Sequence, residues 1–445
     1  MIQQAWEQLG LIVPLVLAFA SVALTIFFYY RPRFILLAYF ALFPAERLYI
    51  SMYAFNIRAD DALIVIGAAA VLLRFGLKPI QNRSPAFRRI LLVLLVLQAY
   101  RYGSMLTGLV TGYVNYYLAL TALHSLLQIY VFIVVVRSDE DLDWLSSRYF
   151  WIVAAWLVYF LPDLAANPFV QEVGRYRVKA AFSEAEEGGF NPNAFGIMAS
   201  MTNMLGFYLL YTRGRLKYLP GVAVGIIICM MFFFRSALFV SVMTILICAS
   251  VDFFVRPRIS FIIAGILAIV LYLSVSGHYS GNLEMYMSNI DVEDLGLRTQ
   301  ARAVGLSIFR DNWLTGLGMG QSFHEIQKIS NGLMGSIHNS YVISMAEFGI
   351  IGFGCLITFF IMVGAGLVRW ALKEREGWFW TAMYLAFLVR IYFGPNLWYS
   401  KMTMQHFSFV IAALGMYLDR ADGVLENYEE DASASRIRPA ALPSP

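Results

Sequence analysis

The sequence predicts an all-α polytopic membrane protein of about 12–13 transmembrane helices with a large helical external loop. Three observations carry this expectation. Of the 445 residues, 60% are hydrophobic and 14% charged, with mean hydropathy +0.65, whereas soluble domains run near about 45–50% apolar and about 25% charged. Apolar runs of about 17–22 residues recur along the chain, each long enough for a bilayer. Lys and Arg gather at the ends of alternate runs, as topology determinants do. Length alone suggests about three domains, but the runs describe one integral membrane domain over 1–424, followed by a Glu-, Ser- and Pro-containing tail over 425–445 that is expected to be disordered and cytoplasmic. The net charge of +4 is dispersed at run ends, so no nucleic-acid partner is expected.

The first ten residues carry no Lys or Arg, and the run after them lacks a small-residue cleavage site, so a span near 10–30 reads as an anchor. Arg31 and Arg33 end it. A short span at 34–50 follows, and NIRADD turns the chain into 59–76. Lys78, Arg83, Arg88 and Arg89 separate that span from 90–109, after which come 114–136 and 149–164. Asn191, Pro192 and Asn193 punctuate the start of 191–212, and Arg213, Arg215 and Lys217 close it. Spans 218–234 and 237–254 form a pair around Arg235, and 259–276 follows Arg256 and Arg258. The last three spans are 341–368, 377–394 and 404–418, with Arg369, Lys373 and Arg375 between the first two. The positive-inside rule places these basic boundaries in the cytoplasm. Loops 165–190 and 277–340 are then external and far longer than the usual connection of roughly 4–6 residues, which directs the search for chemistry to the external face.

Cys229, Cys248 and Cys355 all lie in apolar segments, so no disulfide is expected. The five histidines show no metal-ligand spacing, and no metal site is expected. His338 stands apart, because SIHNSYVISMAEFGIIG ends the long loop and starts a span, with Asn339 and Ser340 as N-cap candidates. It reads either as an interfacial histidine or as a general base, since a neutral imidazole with pKa near about 6.5 suits that work. Glu347 in the same stretch is a further candidate.

Arg298, with Arg302 and Arg310 nearby, lies on a short amphipathic helix of the loop. Arg235 interrupts nearly forty apolar residues, so it belongs at an external hairpin or carries a cost at depth. Guanidinium groups suit bidentate phosphate binding, so Arg235 with Arg298 could hold a diphosphate. Gly316, Gly318 and Gly320 read as a turn or an anion-binding nest. Arg175, Arg177 and Lys179 precede Asn191 and Asn193 and could serve a diphosphate or merely a surface. Asp60 and Asp61 could ligate Mg²⁺, although pairing of one of them with Arg58 is the simpler reading.

The stretches FNPNAFG, FRSALFV, LRTQARAVGLSIFRDNWLTGLGMGQSF and IHNSYVISMAEFGIIGF, spread in order from Arg175 to Val368, together resemble the bacterial O-antigen polymerase and ligase superfamily. The resemblance implies a GT-C-like architecture in the bacterial inner membrane, with the large loop folded over a cavity open to the periplasm. It implies transfer of a glycan from undecaprenyl diphosphate to an acceptor hydroxyl without metal, nucleotide or other cofactor. Carried over residue by residue, it assigns the diphosphate to Arg235 and Arg298 and the acceptor proton to His338. The family often has Trp four positions after the loop arginine and Pro before the glycines. Here those positions are Arg302 and Trp313, which leaves open which loop arginine does the work.

Within the family that the sequence resembles, the acceptor is the end of another lipid-linked glycan for a polymerase, the lipid A core for a ligase, or a protein side chain for an oligosaccharyltransferase. A phosphate-rich core would favour a basic loop. In 277–340 the acids Glu284, Asp291, Glu293, Asp294, Asp311 and Glu325 outnumber Arg298, Arg302, Arg310 and Lys328, which tilts the expectation to a polysaccharide polymerase. Further expected partners are membrane lipids and a chain-length regulator protein. A lipid-linked glycan flippase is the alternative from another class. It would carry cations along a central lumen, and neither an internal repeat nor many mid-span ionisable groups is evident.

Overall fold

The computed structural model describes residues 12–42, 49–52, 55–106, 116–166, 192–231, 235–253, 292–330, 337–393 and 401–424. Helices α1 (Ile12–Tyr30) and α2 (Arg33–Leu42) lead to an antiparallel hairpin of β1 (Tyr49–Met52) and β2 (Phe55–Arg58), which pairs Tyr49 with Arg58 and Met52 with Phe55. The hairpin begins at the end of the expected span 34–50 and otherwise occupies the expected turn 51–58. Helix α2 has 10 residues, which at about 1.5 Å each cover half of a ~30 Å hydrocarbon core. The YISM and FNIR segments that follow are rich in the aromatic and β-branched residues that suit a pleated surface.

Helices α3 (Ala59–Phe75), α4 (Lys78–Gln81), α5 (Pro85–Ser104), α6 (Tyr116–Val135) and α7 (Asp139–Ala166) complete the first half. After α8 (Pro192–Tyr211) a 3-10 turn at Leu216–Tyr218 leads to α9 (Leu219–Met231) and α10 (Arg235–Phe253). Then come α11 (Val292–Asp311), α12 (Gln321–Ile329), α13 (Ser340–Ala371), α14 (Arg375–Phe393) and α15 (Lys401–Ala421). The expected span 259–276, the tail 425–445, nearly all of loop 165–190 and the first part of loop 277–340 lie outside the described residues. Among the described residues, α13 is the helix long and apolar enough by itself to cross a membrane; shorter apolar stretches include Ala18–Tyr30, Ala119–Val135 and Leu238–Val251.

Helix α13 packs against α5, α11 and α14, while α8 packs against α7, α9 and α10. Helix α15 ties the halves together through α6 and α14. Edge-on aromatic pairs fill the junction: Phe40 with Tyr149 at 4.5 Å and Phe132 with Phe409 at 4.9 Å between ring centroids. Such pairs contribute about 0.5–1.5 kcal/mol beyond the area they bury. A charged clamp closes one end, where Arg83 pairs with Asp419 and donates to the Ile133 carbonyl, and the Ser84 amide donates to Asp419 Oδ1 at 2.8 Å. Large apolar side chains cover much of the exterior, among them Phe19, Leu73, Leu92, Val158 and Ile361.

Candidate functional site

Helix α13 is broken at Gly349, whose backbone sits at φ 59°, ψ −165°. The break leaves backbone groups on both sides without helical partners, and the segment after α11 takes up four of them. Ala346 and Glu347 carbonyls accept from the Leu317 and Gly318 amides at 2.9 and 2.8 Å, and the Ile350 and Ile351 amides donate to Trp313 and Leu314 carbonyls at 2.7 and 3.4 Å. Buried backbone groups demand such partners. Glycine is required on both sides of this exchange. A Cβ on Gly349 would lie 2.4 Å from the Leu314 oxygen, and one on Gly316 (φ 74°) would lie 2.3 Å from the Glu347 carbonyl carbon. The tripled glycine is therefore a turn shaped to fit a broken helix. The same seam holds a side-chain bond from Ser322 Oγ to Glu347 Oε1 at 2.6 Å, with Glu347 fully buried.

His338 lies half-buried immediately before α13. Asn339 caps that helix, its Oδ1 accepting from the Tyr341 and Val342 amides at 3.0 and 3.1 Å, which satisfies two otherwise orphaned donors. Asn339 thus has a structural task that holds the backbone beside His338. Helix α11 packs closely here. A Cβ on Gly305 would meet Val342 Cγ1 at 2.6 Å and Ile337 Cδ1 at 2.7 Å. Gly305 lies beside Val342 and Trp313 beside Ile350, so α11 descends along α13. Arg298 and Arg302 precede Gly305 by seven and three residues, which puts all three on one helix face and sets the arginines one and two turns nearer the His338 end. Arg302 is half-buried, with its Cζ 5.1 Å from the centroid of the Tyr392 ring at the end of α14. Arg298 is half-buried as well.

The other expected site residues fare unevenly. Arg235 opens α10 and Asn193 lies in the first turn of α8, but their side chains are outside the described residues. Arg177 and Asn191 lie outside them altogether. Two arginines within apolar runs escaped the sequence reading. Arg101 on α5 is fully buried, donates to Gln98 Oε1 at 2.6 Å and lies 5.5 Å over the Phe348 ring. Arg390 on α14 is 8% exposed. Both show the signal that singled out Arg235, a lone cation in an apolar stretch.

Two further polar groups lie elsewhere. Cys229, Cys248 and Cys355 are free thiols. Asp60, Asp61 and His124 bring their ligand atoms within 4.8 Å of one another, the described set that could hold a metal ion. His124 Nδ1 is 2.7 Å from Asp61 Oδ1 and its Nε2 is 2.9 Å from the Tyr39 hydroxyl, so hydrogen bonds alone also account for its orientation. At the basic end of the bundle, Arg213 bonds Asp143 at 2.9 Å, Glu376 lies 3.4 Å away, and the Tyr208 hydroxyl donates to Glu376 at 2.8 Å. Burial pushes the Glu376 carboxyl above the usual range, against the pull of Arg213. A cavity of about 430 Å³ beside them is lined by Trp144, Arg148, Trp151, Arg215 and Lys217 among others, well removed in sequence and structure from the glycine turn.

No curated protein matches the chain. Residues 194–357 match the family model described as O-Antigen ligase. That stretch runs from the first turn of α8 through the arginine helix, the glycine turn and the broken part of α13, and over it the chain is similar to the O-antigen ligase family.

Proposed function

We propose that this chain is a polytopic, GT-C-like membrane glycosyltransferase that moves a glycan from undecaprenyl diphosphate to an acceptor hydroxyl at the periplasmic face of the inner membrane. The family indicates O-antigen ligase- or polymerase-type function and consists of membrane proteins. The apolar exterior side chains suit lipid as the surrounding solvent. The observation that supports the reading is the packing of Gly305 on Ile337 and Val342, from which the helix face carrying Arg302 and Arg298 runs toward the His338 end of α13.

The chemistry asks little beyond this. His338 takes the acceptor hydroxyl proton, the acceptor oxygen attacks the anomeric carbon, and the bond from that carbon to the phosphate oxygen breaks with its electron pair leaving on the lipid diphosphate. Attack from the face opposite the leaving group inverts the anomeric centre. Arg298, Arg302, Arg235 and Arg177 are the cations proposed to receive the developing charge, the largest electrostatic task in the step. A positioned base contributes about 10²–10⁴-fold. No metal is needed for a leaving group already this good.

Between the acceptors, the acidic balance of the loop favours a growing glycan over a phosphate-rich core, so a polysaccharide polymerase is the preferred reading, ahead of a ligase. The test is an assay of purified protein with native undecaprenyl-diphosphate glycan in EDTA. Longer lipid-linked glycans from wild type, and none from His338→Ala or Arg298→Ala, are expected. Product that forms only with added lipid A core makes the chain a ligase. Movement of labelled lipid-linked glycan across vesicles without any new glycosidic bond makes it a transporter.

A further inference from the structure

Arg390 is 8% exposed, near the end of α14. Among the described residues it has no ion-pair, hydrogen-bond or aromatic partner, and its Nη1 is buried without an acceptor. A buried guanidinium in that state is expensive in an apolar bundle, where charges are otherwise paired or face a ligand. The contrast within this protein is direct: Arg83, about as buried, is held by Asp419 and a backbone carbonyl.

Its height in the bundle is fixed by its neighbours. Two residues earlier the Leu388 carbonyl accepts from the Tyr341 hydroxyl at 3.1 Å, three residues past His338. Two residues later lies Tyr392, the ring under Arg302. Arg390 is therefore level with both. It projects from the other side of α14, where Phe387, one turn earlier, stacks on Phe407 of α15 at 5.0 Å. That orients it inward, about one helix width from Arg302.

We propose that Arg390 is an anion-binding residue whose ligand is a phosphate of the lipid-linked donor, taken up from inside the bundle while the loop arginines approach from outside. This rests on the reading of the His338 end as a donor site. A guanidinium without a protein carboxylate is free to form the bidentate, charge-assisted pair that phosphate accepts.

The test uses the purified full chain, undecaprenyl diphosphate without glycan as probe, and three variants: Arg390→Met, Arg390→Lys and Arg298→Ala. The expected result is an affinity for the probe weakened about tenfold to a hundredfold in Arg390→Met, as befits loss of charged hydrogen bonds, and a smaller loss in Arg390→Lys. The melting temperature of unliganded Arg390→Met should equal or exceed that of wild type, because an uncompensated charge is removed. A marked fall in that temperature identifies a structural arginine and overturns the inference. So does equal displacement of the probe by phosphatidylglycerol vesicles, which would make bulk lipid the ligand. Probe binding by Arg390→Met like wild type, with Arg298→Ala impaired, overturns this inference and spares the donor-site reading. The converse pattern supports Arg390 and overturns the assignment of Arg298. A wild-type chain that ignores the probe overturns both.

Discussion

Ser322, in the first turn of α12, donates its hydroxyl to the fully buried carboxylate of Glu347 at 2.6 Å, two residues before the break in α13. This side-chain bond runs beside the four backbone bonds that join the glycine turn to the broken helix. Helix α12, the turn and the His338-bearing end of α13 are thereby one mechanical unit. Ser322→Ala removes one donor from a buried carboxylate and is expected to cost about 1–3 kcal/mol, read as a lower melting temperature in detergent. An unchanged melt would show that Glu347 does not depend on this hydroxyl.

The glycine requirement at the seam is steric and conformational together. Gly349→Ala and Gly316→Ala place a Cβ within 2.4 Å of backbone atoms at positive φ. Each is expected to cost at least about 1–3 kcal/mol and to lower transfer activity along with stability. Gly354, later in the same helix, has nothing within 4 Å of its Cβ position. Gly354→Ala should leave stability unchanged or raise it by roughly 0.5–1 kcal/mol, read as an equal or higher melting temperature. Equal behaviour of all three substitutions would refute the seam.

The Arg83–Asp419 clamp makes a different prediction. Both partners are buried, and burial outweighs Arg83 in pushing the Asp419 carboxyl above its usual range. Removing one partner strands the other, so Arg83→Met alone should destabilise by about 3–5 kcal/mol. The double variant Arg83→Met with Asp419→Leu should recover much of that loss. A double variant no better than the single one would mean that the clamp acts through its backbone contacts, the Ile133 carbonyl and the Ser84 amide.

Glu376 carries a pH signature. Its folded-state pKa is raised by burial, so its contribution to stability is fully present below the unfolded-state value near about 4.3 and is lost as pH rises through the folded-state value. Wild type should therefore gain melting temperature relative to Glu376→Gln as the buffer moves from about pH 8 toward about pH 5. Melts of the two proteins in one detergent measure the difference, and a gap that moves the other way would show that Arg213 dominates.

How much of this could be read from the chain depended on how local the cause is. Helix positions followed from runs of apolar residues, and the Asn339 cap followed from three adjacent residues, because both depend on neighbours in sequence. The hairpin at Tyr49–Arg58 falls mostly on the expected external turn 51–58, where four-residue strands are too short to give a periodic signal of their own. Arg390 and Arg101 were absorbed into expected spans for a related reason: averaging over about 20 residues conceals one cation. The three glycines announced a turn, but nothing near them announced its partner. That partner is the break at Gly349, some thirty residues on, and it becomes visible only when backbone donors and acceptors are matched across two segments. The same holds for Gly305 against Ile337, a contact that fixes how α11 lies along α13. Composition and periodicity determine where the chain is apolar and where it is charged. Which charges meet is decided by close packing, whose contacts join residues too far apart in sequence for any local pattern to record.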